Sequence, residues 1–285
     1  MKNFEYLKPT SLVDAISAFK KFEDAFLLAG GTDLLVGMRH NLINPGCIID
    51  IKDIPDINTF EYKNGWNFGA LTTIRDIEAS MTLNQKMPFL CQAAAALGSI
   101  QVRNRATIGG NLCNASPCAN FGTAFLALDS QVKIISENGE KIVALEDFFT
   151  GPNTTILKKG EVLTQILVPR ESVGSKGIFL KHCTGNSNDI GLANITILLD
   201  ADSKKGVCNK IRIAMGAVAP TPIRAKQAEM FLSGNRLDPD TIAETARLAS
   251  NEAVPITDFR ASADYRTQLV KTLVLKGINS ILKMS

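Results

Sequence analysis

Two short glycine motifs are the residues of this chain best suited to chemistry: Ala29-Gly30-Gly31-Thr32-Asp33 and Thr107-Ile108-Gly109-Gly110-Asn111. A Gly-Gly pair removes Cβ at two successive positions, which admits dihedrals closed to other residues and lets main-chain N–H groups close on a phosphate. An isolated pair is more often a tight turn whose Thr or Asn satisfies the backbone. Here each pair follows an apolar segment and carries a hydroxyl or amide beside the glycines, a setting that suits an oxygen-rich ligand. Neither motif fits Gly-x-Gly-x-x-Gly or the Walker pattern, which disfavours a Rossmann dinucleotide site and an ATPase.

Other chemistries have less support. The two histidines, His40 and His182, have no second His or carboxylate at ligand spacing, and Cys113-x4-Cys118 has no further close cysteine. Cys113 and Cys118 read as packed thiols. Ser116 lacks a Gly-x-Ser-x-Gly elbow, so no nucleophile and no catalytic residue is expected. Arg103-Asn104-Arg105 is compatible with phosphate contacts, although two arginines in a loop are usually solvated, and Lys181 reads as an edge-strand lysine. On residues alone the ligand is an anionic, phosphate-bearing small molecule held through backbone amides.

The elements that must position these motifs follow from patterning. Ser11 caps a helix with Leu12, Ala15, Ile16 and Phe19 at helical spacing. Ala25 to Ala29 reads as a strand, Gly30 to Asp33 as a turn, and Leu34 to His40 as a helix. Further strands are expected at Cys47 to Ile51, Gly65 to Ala70, Val132 to Ile135, Lys141 to Val143 and Val162 to Val168. A helix is expected from Pro88 to Leu97, then a long irregular stretch from Gly98 to Pro117. Pro169 to Gly177 is the best linker candidate. Beyond it lie strands at Ala193 to Asp200 and Ile211 to Ala219, then helices at Pro222 to Leu232, Pro239 to Glu252 and Asp264 to Lys283.

Composition narrows the class. The 285 residues suit two domains, and 45% hydrophobic with 21% charged residues is ordinary for a folded protein. A net charge of +3, from 31 basic against 28 acidic residues, disfavours a nucleic-acid footprint. No apolar run reaches membrane-spanning length, no secretory signal is read at the N-terminus, and six scattered cysteines suit reduced thiols, so a cytoplasmic location is expected.

The chain resembles the FAD-binding medium subunits of molybdenum hydroxylases, the xanthine dehydrogenase and carbon monoxide dehydrogenase family. The segments that carry the resemblance are Leu28 to Leu35, Gln101 to Pro117, Gly216-Ala217-Val218-Ala219-Pro220-Thr221-Pro222 and Asp264-Tyr265-Arg266. It implies an α+β fold: a two-subdomain, PCMH-type FAD-binding domain over residues 1–172 (subdomains about 1–55 and 56–172), then a smaller α+β domain over 177–285. It implies that Leu27, Leu28, Ala29, Gly30, Gly31, Thr32 and Asp33 cradle the FAD diphosphate and ribitol, with a glycine turn from each subdomain meeting the pyrophosphate. Thr107, Gly110, Asn111 and Asn114 would hydrogen-bond the cofactor, Leu163 would pack near the flavin and Lys181 would face it. Asn120 stands where the family usually has an aspartate, and the arginine that relatives place shortly after the lysine is missing here.

Such a subunit resembles an electron outlet. A large molybdopterin subunit hydroxylates the substrate, a small [2Fe-2S] subunit conducts electrons, and the flavin passes them to NAD or another acceptor, in a heterotrimer expected to dimerise. No metal is expected in this chain. The rival readings are a cofactor-free structural subunit of the same complex and a stand-alone flavin oxidase of the vanillyl-alcohol type. For the latter no His or Cys stands beside a glycine turn as an attachment point.

Overall fold

The computed structural model describes residues 3–172, 176–185, 189–202 and 204–284, without the side chain of residue 56. Three parallel strands open the fold, Glu5–Leu7, Cys47–Asp50 and Ala25–Leu28 in that spatial order. Ser11 caps the helix Leu12–Lys21 as expected, its hydroxyl accepting from the Asp14 N–H at 3.1 Å. Side chains alternate across the strands. Ala25, Cys47 and Ile49 pack with Ala15 of that helix, while Leu28 and Ile48 pack on the other face with Met38 of the helix Leu34–Arg39.

A five-stranded antiparallel sheet follows, in the order Phe60–Tyr62, Gly65–Gly69, Val162–Pro169, Gln131–Ser136, Gly139–Ala144. The helices Ile74–Ala79, Met81–Lys86, Pro88–Ala95 and Asn120–Ala127 accompany it, the first opened by a Thr73–Asp76 capping box. Its core holds Phe68, Phe89, Phe121 and Phe125.

The last sheet runs Lys176–His182, Ala193–Asp202, Val207–Gly216, Ile223–Arg224, all antiparallel. One face packs Ile195, Ile197, Ile213 and Met215 against Val270, Val274 and Ile278 of the helix Ala263–Lys283. The other face sends Phe179, Leu198 and Ala214 into the same core as Phe121 and Phe125. A sheet buried on both faces explains the near-continuous apolar run from Ala193 to Leu199.

Three expectations change. The stretch from Gly98 to Pro117 is not irregular: it holds the helices Ile100–Arg103 and Ile108–Asn114. Arg103 is not solvated: its guanidinium is buried, with Nε 2.9 Å from Glu78 and Nη1 on the Leu97 and Gly98 carbonyls. The linker expected from Pro169 to Gly177 begins as strand and a 3-10 turn, Arg170–Ser172, and strand resumes at Lys176. Its residues 173–175 lie outside those described.

Candidate functional site

The first motif turns the chain from the strand Ala25–Leu28 into the helix Leu34–Arg39. Gly31 has φ +76°, a conformation that glycine adopts without strain. Leu35 N–H bonds the Gly31 carbonyl at 3.0 Å and Gly37 N–H bonds Asp33 at 2.9 Å, so the carbonyls of the turn are used. The N–H groups of Gly30, Gly31, Thr32 and Asp33 have no acceptor among the described residues. Four successive donors without a partner are groups that a bound anion would satisfy.

The second motif is built differently. Thr107 caps the helix Ile108–Asn114, its Oγ1 accepting from the Gly110 N–H at 3.1 Å. Ile108 N–H bonds Thr72 O at 3.0 Å, Gly109 N–H bonds Ala70 O at 2.9 Å, and Asn111 N–H bonds Thr107 O at 2.9 Å. The amides of Ile108, Gly109, Gly110 and Asn111 thus have internal acceptors, and only that of Thr107 has none among the described residues, which corrects the expectation that both glycines of each turn offer free donors. Its glycines supply clearance instead. A Cβ at Gly109 would stand 2.6 Å from that of Ala70, whereas one at Gly110 would meet only Thr107 Oγ1, at 3.0 Å.

The fold brings the two motifs together. A Cβ on Gly30 would lie 2.0 Å from the Arg105 carbonyl oxygen and 2.9 Å from Ala106 Cα, so the first turn is seated on the backbone that leads into Thr107. Asp33 and Cys113 are both exposed, yet burial raises the Asp33 carboxyl and pushes the Cys113 thiol up to about 12. The exposed Cys113 corrects its reading as a packed thiol; Cys118 is half-buried. Asn114 is exposed beside Cys113, and the Asn111 Oδ1 is buried without a hydrogen bond.

The remaining candidates lie around this pair. Leu27 is half-buried and Leu28 buried, and their backbone leads into the turn, with Ala29 next. Leu163 is buried opposite Ile134, next to Thr164, whose carbonyl accepts from Ala70 N–H at 2.8 Å. Asn120 is buried and its Nδ2 donates to Ala93 O at 2.9 Å, while Lys181 Nζ donates to Ala96 O at 2.9 Å. Both side chains therefore tie into the end of the helix Pro88–Ala95. Ala70 and Thr72, whose carbonyls seat the second motif, escaped the sequence reading; the only signal was a small Gly69-Ala70 pair at a strand end.

Comparisons give this geometry its class. A family model described as the FAD binding domain in molybdopterin dehydrogenase matches residues 2–171, and a model of the CO dehydrogenase flavoprotein C-terminal domain matches 179–281. The glyceraldehyde dehydrogenase medium chain of Sulfolobus acidocaldarius is 32% identical over 98% of both chains. The xanthine dehydrogenase FAD-binding subunit of Escherichia coli O157:H7 is 30% identical over 96% of this chain and 94% of its own. Among solved structures, carbon monoxide dehydrogenase from Hydrogenophaga pseudoflava matches with a TM-score of 0.93 at 30% identity, over 98% of this chain and 97% of that one. The chain belongs to the FAD-binding family of molybdopterin dehydrogenases. It is an FAD-binding medium subunit of the molybdenum hydroxylase type, part of an oxidoreductase. The free amide run and the clearance at Gly110 fit the diphosphate of the cofactor, and the orphaned Asn111 oxygen, an acceptor, fits one of its hydroxyl groups.

Proposed function

We propose that this subunit is the electron outlet of a cytoplasmic heterotrimer, itself dimerised, with a large molybdopterin subunit and a small [2Fe-2S] subunit as its partners. Bound FAD supplies a reversible two-electron store between one-electron iron–sulfur carriers and an external acceptor such as NAD. In this reading residues 1–172, with subdomains near 1–55 and 56–172, hold the cofactor and 177–285 form the second domain. The N–H groups of Gly30, Gly31, Thr32 and Asp33 bind the diphosphate, positioned by the backbone of Leu27, Leu28 and Ala29. Gly110 leaves room, and Thr107, Asn111 and Asn114 orient the cofactor from the second motif. Leu163, Asn120 and Lys181 shape the floor and rim.

The observation that carries the proposal is the run of partnerless amides at Gly30 to Asp33 seated on Arg105 and Ala106. The test is expression with and without the two partner subunits. The subunit alone is expected to bind one FAD and hydroxylate nothing, and the assembled complex to turn over. Hydroxylation by the isolated chain refutes the division of labour.

Acceptor choice is read from the loop His182 to Asn188. A nicotinamide dinucleotide benefits from an arginine near the flavin, because guanidinium engages phosphate bidentately. Gly185 offers none, and residues 186–188 lie outside those described. A Cβ on Gly185 would meet Asp189 Oδ2 at 2.4 Å, so a carboxylate occupies the place of a phosphate-binding cation. Weak use of NAD is expected; a low KM for NAD against NADP and an artificial dye, in the complete complex, refutes it.

A further inference from the structure

The segment Gly216 to Pro222 resembles the family yet has no part in the site as described. It lies against the chain that leaves the second motif. That chain passes through Ala115, with φ 48°, into a turn closed by Ala119 N–H on Ser116 O at 2.9 Å. The last domain grips this turn. Ala217 N–H donates to Pro117 O at 2.7 Å, and Asn194 Nδ2 approaches Cys118 O at 3.4 Å. The approach is close: a Cβ at Gly216 would stand 2.8 Å from Thr123 Cγ2, and one at Gly122 would stand 2.7 Å from Pro222 Cγ.

Ala217 is itself left-handed, with φ 64°, which an alanine holds only when its surroundings determine it. Arg266 does so. Only 3% exposed, it sets Nη1 on the carbonyls of Ala217 at 3.2 Å and Leu192 at 2.8 Å, and Nη2 on Asp258 Oδ1 at 3.0 Å. One planar fork thus fixes three separate segments, which the point charge of a lysine does not reproduce.

We infer that Arg266 is a positioning residue for FAD: by holding the Ala217 carbonyl it fixes the backbone of Ala217, whose N–H holds Pro117, and through it the end of the helix that carries Gly110, Asn111 and Asn114. The inference rests on that helix being part of the FAD cradle. It makes the last domain a working part of the cofactor site without touching the cofactor.

The test compares FAD dissociation constants of wild type, Arg266→Lys, Gly110→Val and Val274→Ala, with the melting temperature of each apo-protein. Val274 is fully buried in the same helix, in the core it forms with Ile195 and Ile213 and apart from the core that holds Phe121 and Phe125, and serves as a control for general destabilisation. Arg266→Lys is expected to weaken FAD about tenfold, within the usual range for coupled sites, while Val274→Ala lowers the melting temperature and leaves affinity unchanged. Unchanged affinity in Arg266→Lys, or an equal loss in Val274→Ala, overturns the inference. Full FAD retention by Gly110→Val overturns the cradle reading instead, and the inference with it. Should Arg266→Lys show no cooperative melt, hydrogen exchange of the wild type decides. Coupling is reciprocal, so FAD must slow exchange in peptides covering 213–222; no change there refutes the role of Arg266.

Discussion

The two glycine motifs share a dipeptide and do opposite things. At Gly30-Gly31 the glycines let the chain turn with four N–H groups that have no acceptor among the described residues, and the proposed function gives them the diphosphate. At Gly109-Gly110 both amides are already bonded, and the glycines matter for what they leave out: one admits Ala70, and beside the other only the Thr107 hydroxyl stands close. In the proposed site a dipeptide that suggests phosphate binding in sequence therefore stands for donation in one place and clearance in the other, and the carbonyls of Ala70 and Thr72 with the hydroxyl of Thr107 separate the two.

That contrast can be broken by substitution. Gly30→Ala carries the largest expected effect, because its Cβ meets backbone that no side-chain motion relieves. It should cost about 3 kcal/mol of stability, at the upper end for overpacking, and yield protein without FAD; a melting temperature within a degree or two of wild type refutes the seat on Arg105. Gly31→Val comes next. Its positive φ costs a non-glycine residue about 1 to 2 kcal/mol, and flavin content measured after gel filtration should fall well below one per chain in a variant that still folds.

Gly110→Val sharpens the comparison, since it should separate affinity from stability. Its Cβ meets only the Thr107 hydroxyl, so the apo-protein should melt close to wild type while FAD affinity drops at least about tenfold, 1.4 kcal/mol. If stability falls as far as in Gly30→Ala, the clearance reading is wrong.

The smallest effect concerns pH. Burial raises the Asp33 carboxyl above its ordinary value. The folded state then binds the proton more tightly than the unfolded one, so this group's contribution to stability is present below the unfolded value near 3.8 and lost as pH rises through the folded one. Asp33→Asn should make the apo-protein slightly more stable at neutral pH, with the difference shrinking below pH 4 in paired thermal melts. An Asn variant less stable at neutral pH contradicts the burial of this carboxyl.

Much of this was legible in the sequence because it is local. Ser11 with Asp14, the strand Ala25–Leu28 and the turn after it are set by caps, alternation and glycine. The helix Ile108–Asn114 was not, since two glycines and two asparagines suit a loop; it stands because Thr107 caps it and Ile108 and Leu112 are buried. The helix Asn120–Ala127 is buried on every side and shows no amphipathic period to read. Arg103 was misjudged for a similar reason, as its partner Glu78 lies in another helix. Of the candidate site residues, the glycines announced themselves by type, whereas the roles of their amides depend on carbonyls distant in sequence.

The seat of Gly30 on Arg105 also has a meaning in time. A ribosome adding roughly 5 to 20 residues per second completes the first turn several seconds before it makes the backbone on which that turn rests. Through that interval the amides of Gly30 to Asp33 are open to water with no second wall opposite them. In the proposed site, loading of the flavin then follows synthesis of the second motif and cannot begin on the first turn alone.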